Sequence, residues 1–74
     1  MTKHLIAGIY VKEKENEAKT IQVLDKYSSL ISHCLRTDGL FTIHSLGEEN
    51  KFDEMLRKMN EISGVIAKKM VFFG

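Results

Sequence analysis

The chain has 74 residues, 43% of them hydrophobic, and its eleven basic and ten acidic side chains leave a formal charge of +1. That length suits one small domain with a marginal core, and the near-neutral balance excludes the basic footprint of a nucleic-acid binder. The single cysteine excludes an internal disulfide and fits a reducing compartment.

The run HLIAGIYV near the N-terminus is too short for the apolar core of a signal peptide, and KEKENE follows it with no cleavage site. No segment approaches the ~20 apolar residues of a membrane span. A soluble cytoplasmic protein is expected, folded as one domain over residues 1–74. Leu5 to Val11 is a short apolar run bounded by charges, which predicts a buried strand. Within it Leu5, Ala7, Ile9 and Val11 project one way, and Ile6, Gly8 and Tyr10 the other. Gly8 leaves room for a neighbour to approach. His4, at the start of this strand, reads as an ordinary edge residue. Asn16 is placed to cap a helix in which Ala18, Ile21, Leu24 and Tyr27 recur at helical spacing.

The period changes around residues 28–32. LISHCLR and LFTIHSL are rich in apolar and β-branched residues, and TDG separates them. Asp38-Gly39 between such runs predicts a hairpin with a type I′ turn. Gly47 ends the second strand, Asn50 is placed to cap a second helix, and Asp53 lies near its positive end. Phe52, Met55, Leu56, Met59 and Ile62 form one apolar stripe, Gly64 stands where a helix-terminating glycine belongs, and VIAKKMVFF closes the chain as a strand. Lys68 and Lys69 are adjacent in that strand, so one blunts an edge or the other turns toward a groove.

This order, strand, helix, strand, strand, helix, strand, predicts an α+β ferredoxin-like βαββαβ fold, with two helices on one face of a four-stranded antiparallel sheet. The other face stays bare. Both faces of the first and last strands are apolar, so either the terminal residues fray or a partner covers the bare face. A second copy is the simplest cover, with Ile6, Tyr10, Met70 and Phe72 as the expected interface of a dimer or tetramer.

The whole chain resembles the small stand-alone ACT-like regulators named as iron-only hydrogenase system regulators, which share their fold with ACT domains and with the C-terminal domain of the nickel-responsive repressor. The matching residues are VLDKYSSLI, with Leu24, Tyr27 and Ile31, then the hairpin glycine Gly39, then FDEMLRKMNEISGV, with Asp53, Glu54, Leu56, Ile62, Gly64 and Val65. There are departures. SHCLR, with Arg36 alone, stands where the family has a glycine- and arginine-rich segment, and the hairpin loop is shorter. The KEKENE loop lacks the glycine with which ligand-binding ACT domains hold an amino acid. The resemblance implies a small regulatory or sensing module that oligomerises, takes a small ligand at a subunit interface, and acts through a protein partner or through that ligand.

Counting outward from the turn places His33 opposite His44, with Cβ atoms ~5 Å apart on one face. The pair reads either as two ligands of a divalent metal, completed by a second copy, or as two histidines stacked or hydrogen-bonded on a half-exposed sheet. Cys34 points to the other face, either as a redox-sensing thiol beside Arg36 or as a buried cysteine. No Gly-rich phosphate loop, nucleophile elbow or HExxH motif occurs, so no enzymatic activity is expected. A regulatory module, a metal sensor or carrier, and a purely structural interaction module are the three readings that the sequence supports.

Overall fold

A computed structural model describes residues 2–74. The elements run β1 (Lys3–Val11), α1 (Glu17–Lys26), β2 (Ile31–Thr37), β3 (Leu40–Leu46), α2 (Glu49–Asn60) and β4 (Val65–Phe73), with 3₁₀ turns at Lys14–Asn16 and Ser28–Leu30. All strand pairs are antiparallel, in the order β2-β3-β1-β4. The α+β, ferredoxin-like expectation holds. No helix of the described residues is long and apolar enough to cross a membrane.

Alternation along β1 decides which face meets the helices. Leu5, Ala7, Ile9 and Val11 are buried, and opposite them lie Phe41 and Ile43 of β3 and Val65 and Ala67 of β4. The stripe on α2 supplies the other side of this core: Phe52, Met55 and Met59 are fully buried, and Leu56 nearly so. Each such side chain contributes about 1.5–3 kcal/mol. Helix α1 covers less. Leu24 is buried, Ile21 and Tyr27 pack against the core, and Ala18 is exposed rather than on the stripe. Thr20 occupies the buried place instead, and its hydroxyl donates to the Asn16 carbonyl at 3.1 Å.

The turn is as expected: Asp38 and Gly39 both have positive φ, and the pairing runs Thr37 to Leu40, Leu35 to Thr42 and His33 to His44. A bulge at Ser32 then shifts the register, so that Ile31 lies opposite Ser45 on the helix side and packs against the core.

Asn16 stands at the N-cap position of α1 as predicted but without the bond of a cap, and the cap predicted at Asn50 is displaced. The Asn16 side chain makes no cap hydrogen bond; its amide donates to the Ser63 carbonyl at 2.6 Å and ties the start of α1 to the turn before β4. Asn50 lies inside α2. That helix is entered through Gly47 and Glu48, both with positive φ, so the break in the chain comes two residues earlier. Asn60, at the end of α2, both donates to and accepts from the backbone of Ala67, at 3.1 and 2.8 Å. It satisfies one residue of the β4 edge as a neighbouring strand would.

Candidate functional site on the bare sheet face

The helices occupy one side of the sheet, and the side chains of the opposite side form a continuous surface. Register aligns them in rows across β2, β3, β1 and β4. One row is His33, His44, Ile6 and Met70; the next is Leu35, Thr42, Gly8 and Lys68; a third is Thr37, Leu40, Tyr10 and Ile66. The four residues expected at an interface all fall here. Tyr10, Met70 and Phe72 are 47, 59 and 50% exposed, and Ile6 is half-buried. Leu35, Leu40, Leu46 and Ile66 are exposed on the same face, Leu35 at 72%. No local signal in the sequence marks these four, since they lie on three different strands and only the register adds them into one patch. A Cβ at Gly8 would meet nothing within 4 Å, so the centre of the face is open.

All three histidines of the chain lie on this face. His33 and His44 are paired as expected, with ring centroids 6.2 Å apart. His4 joins them, which corrects its reading as an edge residue. β1 is a central strand between β3 and β4, and this brings His4 Nδ1 to 2.9 Å from His44 Nε2. The His4 and His44 centroids are 5.1 Å apart with an interplanar angle of 19°. That separation is close to the N···N distance plus one ring radius at each end. The rings therefore lie end to end in an N–H···N hydrogen bond, with one nitrogen donating and the other accepting. With an N–H on one side and a lone pair on the other, these two nitrogens do not converge on a shared ion. Among the described residues no group of three or more His, Cys, Asp or Glu is arranged to hold a metal.

Cys34 is on the face opposite the histidines, as expected; that face is the helix side, and the thiol is exposed there, which corrects the buried alternative. α1 does not reach over β2, and between them runs an open groove of about 470 Å³ lined by Ile21, Leu24, Ile31, Cys34 and Phe41. Arg36 does not turn its charge to the thiol. It is ion-paired with Glu17 and lies over the Phe41 ring, 5.5 Å from its centroid. A second, polar recess of about 420 Å³ near the hairpin is lined by Lys12, Lys14, Glu17, Arg36 and Asp38.

The two adjacent lysines divide between the faces. Lys68 is exposed on the bare face. Lys69 turns to the helix side and bonds Asp53 at 2.6 Å and Glu49 at 2.8 Å. Glu49 also pairs with Lys3, and hydrogen bonds from Lys3 and then Lys69 hold its carboxyl down at about 2. The Tyr27 hydroxyl donates to Glu54 at 2.6 Å and lowers that carboxyl as well.

No family model matches the chain, and no curated protein matches it. Among solved structures, the uncharacterized protein TM1266 from Thermotoga maritima superposes over 96% of both chains with a TM-score of 0.77, at 13% identity. The two proteins share size and fold. At that identity the likeness carries the fold and nothing about activity.

Proposed function

We propose that this protein is a small regulatory or sensing module that works as an assembly of its own copies, packed through the bare sheet face. The observation that supports this reading is the apolar patch itself, since exposed apolar side chains gathered on one face mark an interaction surface. Four strands of seven to nine residues lay out a face of roughly 20 by 30 Å. That is of the same order as the about 800 Å² that a standard interface takes from each partner. A second copy fits on charge. Lys68 is the only permanently charged side chain that the described strands place there, so two copies meet with little repulsion when the imidazoles are neutral.

The resemblance to iron-only hydrogenase system regulators supports the regulatory half of the reading. A ligand of a few hundred daltons would be taken at the interface between copies, and regulation would act through that ligand or a protein partner in the cytoplasm. The metal-sensor reading, with His33 and His44, is the weaker one, because His44 already spends a nitrogen on His4. Native mass spectrometry of protein purified without chelators tests the proposal. A multiple of the 8.5 kDa chain is expected, with ligand seen as added mass. A monomer alone at micromolar concentration would sink it.

A further inference from the structure

Strand β4 lies at the edge of the sheet, and alternate residues point their backbone groups away from β1. Its ends and Asn60 fix which residues these are. Gly64 and Gly74 bond inward, to Lys12 and Thr2, while Ala67 bonds outward to the Asn60 side chain through both its N–H and its carbonyl. By alternation Ile66, Lys68, Met70 and Phe72 hold β1, and the odd-numbered residues face outward. The Val65 N–H donates to the Ile62 carbonyl, and Asn60 takes Ala67. Lys69, Val71 and Phe73 follow, each with an N–H and a carbonyl that meet no partner among the described residues.

This stretch carries none of the features that close an edge. It has no proline, and its register against β1 runs unbroken from Lys3–Phe73 to Val11–Val65. Lys69, whose charge would repel a neighbouring strand, is held by Asp53 and Glu49, and Lys3, over the Phe73 ring, is paired with Glu49. Met70, Phe72 and Phe73 are exposed around it. The opposite edge differs, because the bulge at Ser32 breaks β2.

We infer that β4 pairs antiparallel with β4 of a second copy about a two-fold axis at Val71, joining two four-stranded sheets into one continuous sheet. Asn60 sets this register: it occupies Ala67, so the free stretch begins at Lys69 and has Val71 at its centre. Lys69 of one copy then lies opposite Phe73 of the other, and every outward N–H and carbonyl of the stretch finds its partner. On the bare face Met70 of one copy meets Phe72 of the other, so the two apolar surfaces become one. Charge permits the contact. Lys68 of one copy falls opposite Gly74 of the other, which sets the two free lysine charges roughly 20 Å apart, beyond the screening length. A two-fold contact closes on itself and leaves the bare faces free to pack, so this interface is additional to the one proposed above.

Amide exchange read residue by residue by NMR, with sedimentation velocity on the same samples, tests this. Phe73→Pro removes an outward donor and sets its ring against the neighbouring strand, while the bonds to β1 stay. Relative to wild type, it is expected to speed exchange at Lys69 and Val71 at least about tenfold and to halve the number of chains in the assembly. Slow exchange at Ile6 and Gly8, which face β4 from β1, shows that the variant is folded. Phe73→Leu keeps the N–H and is expected to behave as wild type. Fast exchange at Lys69 and Val71 in a wild-type assembly overturns the edge pairing and leaves the face packing standing. Wild-type exchange in Phe73→Pro, or loss of pairing in Phe73→Leu, also overturns it. A dimer with slow exchange at Lys69 and Val71 that Met70→Lys leaves intact upholds the edge pairing and overturns the face packing. A wild-type monomer overturns both.

Discussion

At residue 39 the backbone has room for one residue type. Gly39 has φ +78, and a Cβ there would stand 3.0 Å from the Val11 carbonyl oxygen. Its own carbonyl accepts from Val11 N–H at 2.8 Å, so the turn cannot back away without losing a bond to β1. Gly39→Ala is expected to cost about 1–2 kcal/mol, read as a lowered midpoint in chemical denaturation. An unchanged midpoint would show that the hairpin shifts freely. The Asp-Gly signal was legible in the sequence, and so was the opposition of His33 and His44, because a two-residue turn sets the count along both strands. The place of His4 was not legible. It lies 40 positions from His44, and only the insertion of β1 between β3 and β4 brings the rings together.

Local signals located the elements better than they located their ends. Asn16 and Asn50 both look like caps, since a small polar residue stands before an apolar period. Tertiary structure draws the Asn16 amide to Ser63, and the left-handed pair Gly47-Glu48 starts α2 ahead of Asn50. The first turn of α2 then gains Glu49, with Lys3 from β1 and Lys69 from β4 on either side of its carboxylate. This fixes a pH dependence. A carboxyl lowered in the folded state stabilises the fold above its unfolded value, and that contribution is lost as the pH falls. For Glu49 the window runs from the ordinary 4.5 down to about 2. Glu49→Gln is expected to be less stable than wild type at neutral pH and to converge with it toward about pH 2. Denaturation midpoints at several pH values across that window check this, and a constant difference between the two proteins would refute it.

On the scale of the molecule, one side of the sheet is packed and the other is open. Met70 is 59% exposed on the open side, between Lys68 and Phe72 along β4. Met70→Lys is therefore expected to change the stability of the fold by no more than about 0.5 kcal/mol. The same change places a charge inside the proposed interface and is expected to weaken self-association at least about tenfold. Sedimentation and thermal melts on one preparation separate the two effects. Association at wild-type strength in a folded variant would show that this face is not where the copies meet, and loss of the fold would show that Met70 belongs to the core.

The sequence by itself determined the order of the elements, the hairpin register next to its turn and the stripe on α2, because each depends on periods and turn residues within a few positions. It also determined that both faces of the outer runs are apolar. Only the tertiary structure decided which face the helices cover, how the Ser32 bulge turns Ile31 inward, where Lys69 finds its carboxylates, and that all three histidines share the bare face. Those outcomes depend on strand order and on contacts between residues far apart in the chain, which no local pattern encodes.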